Sequence, residues 1–194
     1  METTSSTPPK QIFLIRHARP LVQRSGLFSA RSARGFLTAY DAAEVEAFVL
    51  QHEAFPYKHI TKVYCSTLLR SQLTAKAIFG EKVRLVADAR FREFERKIFP
   101  LPLLRLPLGF WLLTARLLWF LGLNHQGIES FRQARQRAQA GATLLATEAQ
   151  ASGIAVLVAH GLLNSFILRY LKKSGWRVAS KGGHGYVSVN VLEQ

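Results

Sequence analysis

The chain has 194 residues, with 26 Lys and Arg against 12 Asp and Glu, a formal net charge of +14, and 48% hydrophobic residues. Length and apolar content suit one globular domain. They favour one domain over two, and they exclude a disordered chain, which would lack the surface to offset its ordering entropy. The charge predicts attraction to phosphates, nucleic acid or anionic lipid without choosing among them.

Residues 1–10 are polar, with Pro8 and Pro9, and lack the basic-then-apolar order of a secretory signal. They read as a disordered leader to a single domain over 11–194. Cys65 is the only cysteine, so no intrachain disulfide or cysteine zinc cluster forms; its expected role is core packing, and a reducing, cytoplasmic setting is expected.

Ile12 to Ile15 is an apolar run that suits a strand buried on both faces. Asp41 followed by Glu44 has the pattern of a capping box and predicts a helix through Phe48 and Leu50. Lys62 to Cys65 reads as a second strand. Thr67 to Phe79 has helical apolar spacing and stops at Gly80. Val83 to Val86 is a third strand, Ser130 to Gln150 an Ala-rich helix, and Ile154 to Val158 the clearest buried strand. Leu162 to Leu171 then reads as helix and Tyr186 to Leu192, with its alternating valines, as a final strand. This alternation predicts an α/β three-layer sandwich with a mainly parallel central sheet flanked by helices, and a ligand site beyond the carboxyl ends of the strands.

Leu101 to Leu123, the core of an apolar insertion around 99–125, departs from that pattern. It holds Phe110, Trp111, Trp119 and Phe120 among many leucines. Its length suits a membrane span, but Arg105 and Arg116 are costly near a bilayer centre and Pro102 and Pro107 interrupt its start. A buried helix is the plainer reading. A helical lid over the site is preferred, with contact to a membrane surface through 101–123 as the alternative.

Arg16-His17 ends the first strand and His160-Gly161 ends the Ile154 to Val158 strand, so both histidines are expected at one sheet edge. A lone histidine at a strand end is more often structural than catalytic; the constellation changes the weighting. Arg70 falls in the first turns of a helix directly after a strand, where a cation adds to the positive end of the helix dipole and favours an anion. Glu93, in Phe91-Arg92-Glu93, supplies a carboxyl group after the third strand. Two histidines, two arginines and a carboxyl group at successive strand exits match what phosphoryl transfer through a histidine needs.

The blocks Leu14-Ile15-Arg16-His17, Ser66 to Thr74 with Arg70, Phe91-Arg92-Glu93, Gly127 to Ser130, and Val158-Ala159-His160-Gly161 resemble the histidine phosphatase superfamily in its branch 1 type. This is the fold shared with cofactor-dependent phosphoglycerate mutases. The resemblance runs from about Gln11 to Tyr170. It implies that His17 becomes phosphorylated, that Arg16, Arg70 and His160, with Gly161, hold the phosphoryl oxygens, and that Glu93 protonates the leaving oxygen and then activates water. His17 must attack as neutral imidazole, which neighbouring arginines favour. No metal or other cofactor is required by that chemistry.

The chain departs from the family pattern at Ala18, where glycine is usual, and at Arg19-Pro20; the asparagine several residues later has no counterpart near Gln23 to Ser25. Arg24, Arg31 and Arg34 make the following loop basic. Glu95 competes with Glu93 for the acid role. His52, His59 and His125 read as surface or loop residues, His184 as part of a glycine turn, and Arg132, Arg135 and Arg137 as a solvated helix face.

The expected activity is hydrolysis of a phosphomonoester on a small molecule or a phosphoprotein. The alternatives are a mutase-like phosphotransferase and a catalytically silent relative that binds an anion or a membrane. Nucleic acid is not expected as a partner. The insertion suits a substrate with an apolar part, and the basic loop one with more than one negative charge.

Overall fold

Ile12 to Ile15 are fully buried because the strand that carries them, β1 (Gln11–Arg16), lies inside a sheet covered on both faces. A computed structural model describes residues 9–194 apart from 51, 53, 54, 102 and 184. Residues 1–8 of the expected leader, and His184, lie outside the described residues.

The other elements follow in chain order as β2 (Leu27–Phe28), α1 (Ala30–Ala42), β3 (Lys62–Ser66), α2 (Leu69–Phe79), β4 (Arg84–Asp88), β5 (Leu106–Pro107) and α3 (Leu108–Phe120). The chain continues through α4 (Phe131–Ser152), β6 (Ile154–Ala159), α5 (Gly161–Lys173), β7 (Arg177–Lys181) and β8 (Val189–Glu193).

The main sheet has the order β4-β3-β6-β1-β8-β7. β4, β3, β6 and β1 run parallel, while β8 is antiparallel to β1 and β7 to β8. Alternation along β1 divides the core: Ile12 and Leu14 pack with Leu145 of α4 and Leu163 and Ile167 of α5, whereas Phe13 and Ile15 join Val63, Cys65 and Ala75 on the α2 side. Cys65 is wholly buried, as a packing residue would be, and burial pushes its thiol up to about 11.

Local signals explain the helix ends. Ser130 caps α4 by a full capping box with Gln133, and Gly153 closes that helix in the left-handed conformation. The strands and helices read from the sequence after residue 60 are present with shifts of a few residues, and the sheet is mainly parallel.

The helix expected to begin at Asp41 is a correction. The helix here is α1, which ends at Ala42, and its cap is Ser29, whose side chain accepts the Ser32 N–H at 3.2 Å. Beyond it the backbone is extended, Val45 bridges Pro20, and the Glu46 N–H is taken by the Arg19 carbonyl. These tertiary bonds outweigh the local capping pattern. Arg31 and Arg34, read as loop residues, stand on α1. Edge strand β7 has no counterpart in the sequence reading; its side chains are mostly exposed, so it carries no apolar alternation to find.

The insertion folds as a short lobe with its own core. β5 pairs with β2 in a two-stranded sheet, and Ala30, Ala33 and Phe36 of α1 pack on Leu108, Trp111 and Ala115 of α3. Two indole N–H groups hold α3: Trp111 donates to the Phe28 carbonyl of β2 within the lobe at 2.8 Å, and Trp119 to that of Glu129, just before α4, at 2.7 Å. Among the described residues no helix is long and apolar enough to cross a membrane.

Candidate active site

β1 and β6 are parallel and in register to their last residues, Arg16 opposite Ala159. The next residue of each chain segment is a histidine, and the His17 N–H extends the ladder by one bond to the Ala159 carbonyl at 2.9 Å. The two rings therefore meet at the carboxyl edge of the sheet, edge to face with centroids 5.0 Å apart.

The His17 ring donates from Nδ1 to the Ala18 carbonyl at 2.7 Å, which fixes the tautomer and leaves the lone pair on Nε2. Burial lowers its pKa to about 3. The Ala18 bond opposes that shift, and the Arg70, Arg16 and Arg24 cations add to it. His160 is wholly buried and also held well below the ordinary imidazole range, first by burial and then by His17 and the surrounding arginines. Its Nε2 is 3.4 Å from Ser71 Oγ, and among the described residues its Nδ1 has no partner.

Ala18 is fully buried and is not among the residues with positive φ, so alanine in place of the family's glycine introduces no strain. Thr74 of α2 holds this turn, accepting the Ala18 N–H at 2.9 Å and donating to the Arg70 carbonyl at 2.6 Å.

Arg70 stands in the first turn of α2, almost completely buried. Its Nη1 donates to the Tyr40 carbonyl at 3.1 Å and to Asp41 Oδ1 at 3.0 Å, and its guanidinium lies over the Tyr40 ring at 4.6 Å. Asp41, taken in the sequence for a helix cap, is thus the carboxylate partner of a site arginine. Arg16 lies over the ring of Tyr186 at 4.3 Å, and Arg24 donates to the Tyr186 hydroxyl at 2.7 Å. Two tyrosines that sequence reasoning did not single out therefore splint three arginines. Gly161 opens α5 beside Arg16: a β-carbon there would lie 3.3 Å from Arg16 Nε and 3.4 Å from Cδ and Cζ. The missing side chain lets the guanidinium lie against the positive end of the helix, a place that a bound anion favours.

Glu93 follows the 3-10 turn at Ala89–Phe91 and points back to α5, where its Oε1 accepts the Leu163 N–H at 3.3 Å as well as the Phe94 N–H at 3.0 Å. Glu95 also lines this region but is exposed, and its Oε2 accepts the Glu129 N–H at 3.0 Å rather than a bond from α5. Two arginines hold this segment. Arg116 of α3, buried, donates to the Phe94 carbonyl at 2.8 Å and the Glu95 carbonyl at 3.2 Å. Burial, with Arg96 nearby, lowers its pKa to about 10.

Arg137 of α4 donates to the carbonyls of Arg90 at 2.9 Å and Arg92 at 2.7 Å, and forks onto the Glu129 carboxylate. That corrects the expected solvated helix face: Arg132 and Arg135 are exposed, but Arg137 is a bracing residue. An Arg in an Ala-rich helix carries no sequence mark of the loop it reaches.

A cavity of about 690 Å³ gathers Arg16, His17, Arg70, Glu93, His160 and Gly161, every site residue expected from the sequence. Tyr40, Asp41, Glu95, Arg96, Asn164 and Lys181 also line it. His52, His59 and His125 do not. No described residue of α3 is among the residues lining it, and the helix meets the cavity wall through Arg116, which holds the Phe94 and Glu95 carbonyls. Among the described residues no cluster of three or more His, Cys, Asp or Glu side chains is placed to hold a metal ion.

The family model of the histidine phosphatase superfamily (branch 1) matches residues 12–194. Among solved structures, the chain is similar to the ecdysone phosphate phosphatase of Bombix mori, with TM-score 0.53 and 12% identity over 94% of this chain and 88% of that one. It is similar to a mycobacterial glucosyl-3-phosphoglycerate phosphatase, with TM-score 0.52 and 17% identity over 95% and 90% of the two chains. It is also similar to the alpha-ribazole phosphatase of Shigella flexneri, with TM-score 0.52 and 18% identity over 81% and 77%. At these identities the likeness is one of fold. No curated protein matches the chain.

Proposed function

The chain belongs to branch 1 of the histidine phosphatase superfamily, and from that premise we propose that it hydrolyses a phosphomonoester through a phosphohistidine formed on His17. The observation that carries this reading is the tautomer of His17. With Nδ1–H committed to Ala18 at 2.7 Å and the pKa lowered to about 3, Nε2 presents a free lone pair throughout the neutral range.

In the first half-reaction, Nε2 attacks phosphorus and the bond from phosphorus to the ester oxygen breaks. Glu93, entering as the carboxylic acid, gives its proton to the departing oxygen. The positive charge on the phosphorylated ring is stabilised by the Ala18 carbonyl at Nδ1–H. In the second half-reaction, the Glu93 carboxylate takes a proton from water, the water oxygen forms a new bond to phosphorus, and the bond to Nε2 breaks to release inorganic phosphate. Arg16, Arg70, His160 and the Gly161 end of α5 neutralise the phosphoryl oxygens, so positioning and electrostatics carry the rate. Both Glu93 and Glu95 line the cavity, and the bond from the Leu163 N–H of α5, the helix that begins at Gly161, supports Glu93 as the acid, since Glu95 is bonded to the Glu129 N–H instead.

Either a small molecule or a phosphoprotein fits this reading, and the single buried thiol accords with a cytoplasmic setting. The test is hydrolysis of p-nitrophenyl phosphate by wild type and His17→Ala in the presence of EDTA, followed by a panel of phosphorylated metabolites. Activity that survives EDTA and disappears in the variant is expected. Full activity in His17→Ala, free of contaminants, would overturn the proposal. Phosphoglycerate interconversion without net hydrolysis would replace it with a mutase reading.

A further inference from the structure

The outer face of α3 is built for something other than water. Phe110, Leu113, Leu117, Phe120 and Leu121 recur at helical spacing and are all exposed, Leu113 by 61%, Leu117 by 52% and Leu121 by 71%. Leu103 and Leu104 before the helix and Leu123 after it are exposed too. No charged side chain interrupts this face, because the helix's one cation, Arg116, is turned inward onto the Phe94 and Glu95 carbonyls. A water-facing helix surface would normally be polar, and an apolar patch of this extent marks an interaction site. Both indoles of α3 are buried and hydrogen-bonded, Trp111 within the lobe and Trp119 to the Glu129 carbonyl, while leucines and phenylalanines of the same helix face outward.

The lobe that carries this face has one sign of charge. Its core joins two stretches, 21–40 and 96–128, and neither contains an Asp or Glu. Both contain cations, of which Arg24, Arg31, Arg34 and Arg105 are exposed. Arg105 lies just before the two-residue strand that leads into α3, and Arg31 and Arg34 stand on α1, the helix packed against α3.

From these observations we infer that α3 docks this protein on an anionic lipid bilayer, its leucine and phenylalanine face entering the headgroup boundary while the surrounding arginines meet the lipid charge. Charge complementarity selects this occupant. A second copy of the chain would bring the same arginines and a net charge of +14 to the contact and be repelled. An anionic bilayer attracts both features at once. A face of leucines and phenylalanines with no charged residue of its own also suits a fluid acyl boundary, which demands no fixed register, better than a protein interface, whose core favours tyrosine, tryptophan and arginine. With 13 residues, α3 would lie in the interface and not span it.

The experiment is flotation of the full chain with vesicles of phosphatidylcholine alone and of phosphatidylcholine with phosphatidylserine. It compares wild type with Leu113→Glu/Leu117→Glu and with the milder Phe110→Ser/Leu121→Ser. All four positions are exposed, so both variants should keep the wild-type circular dichroism melt, and the second pair stands in if the first does not fold. Wild type should float with the phosphatidylserine vesicles, less so as salt is added, and either apolar variant should lower its partition at least about tenfold. Arg31→Gln/Arg34→Gln should narrow the preference for the anionic vesicles.

Three outcomes would overturn the inference. They are wild type that floats with neither vesicle, flotation unchanged in the apolar variants, which would assign binding to net charge alone, and a wild-type dimer in sedimentation that the apolar variants dissociate, which would give the face to a second copy.

Discussion

The His17 and His160 rings lie 5.0 Å apart, although they are far apart in the chain, because each is the first residue past one of two parallel strands paired in register to their last residues. Their contact follows from backbone pairing and needs no side-chain search. Everything else at the site is arranged around that fixed pair, and each support can be tested separately.

Gly161 is predicted to act through the room it leaves for Arg16. In Gly161→Ala, the new β-carbon would press on Nε, Cδ and Cζ of Arg16 at 3.3 to 3.4 Å, and the side chain must give way. The backbone there is not left-handed, so the fold should keep its melting temperature. Steady-state kinetics should show KM for p-nitrophenyl phosphate raised about tenfold, the equivalent of roughly 1.4 kcal/mol of lost phosphate binding.

Arg116 is predicted to be a positioning residue for Glu93. Arg116→Met removes the donors to the Phe94 and Glu95 carbonyls and leaves that of Phe94 buried without them, which should destabilise the fold by about 1–3 kcal/mol in urea titration. Because Arg16 and Arg70 are untouched, kcat should fall about tenfold with KM nearly unchanged. Arg116→Lys, which restores a donor and a charge, should recover part of kcat; a purely structural role would instead track the loss of stability in all variants.

Stability should depend on pH through the buried histidines. His17 in the folded protein titrates near 3 instead of 6.5, so between those values the unfolded chain binds a proton that the native state refuses. Stability must therefore rise with pH across that window and fall as the solution is acidified below about 6.5, by up to about tenfold in the folding equilibrium per pH unit for one group. His160, shifted in the same direction, adds a parallel contribution. Urea titrations from pH 7 to pH 5 should give a shallower decline for His17→Gln than for wild type. Equal slopes would mean that His17 is not buried as neutral imidazole.

Asp41 is predicted to orient Arg70. Asp41→Asn weakens the ion pair at 3.0 Å while the Tyr40 carbonyl still holds the same nitrogen. The predicted result is a KM increase of about two- to fivefold, smaller than that of any change to Arg70 itself, because Asp41 is half exposed and its pairing screened.

The parts of the site legible in the sequence are those where local pattern and position coincide. Arg16-His17 and His160-Gly161 each follow a short apolar run that suits a buried strand, and Arg70 follows a strand at a helix start. What was not legible depends on distant partners. Asp41 has the spacing of a helix cap, but Ser29 had already started that helix and Arg70 takes the carboxylate. Arg137 sits in a polar helix, yet it braces the loop before Glu93. Tyr40 and Tyr186 support three arginines from opposite ends of the chain, a relationship that no periodicity encodes. The apolar insertion was conspicuous in composition, but which of its faces is buried emerged only from its packing on α1.

The most direct test of the central claim is to trap the phosphorylated protein. Glu93→Gln should slow attack of water on the phosphohistidine, so mixing this variant with a phosphomonoester having a good leaving group and quenching in base should accumulate phosphoenzyme. Mass spectrometry of the digest is predicted to find an acid-labile phosphoryl group on the peptide that contains His17, and none when His17→Ala is combined with the same change. A phosphoryl group on another residue, or turnover by wild type with no phosphorylated His17 at any time after mixing, would contradict the account.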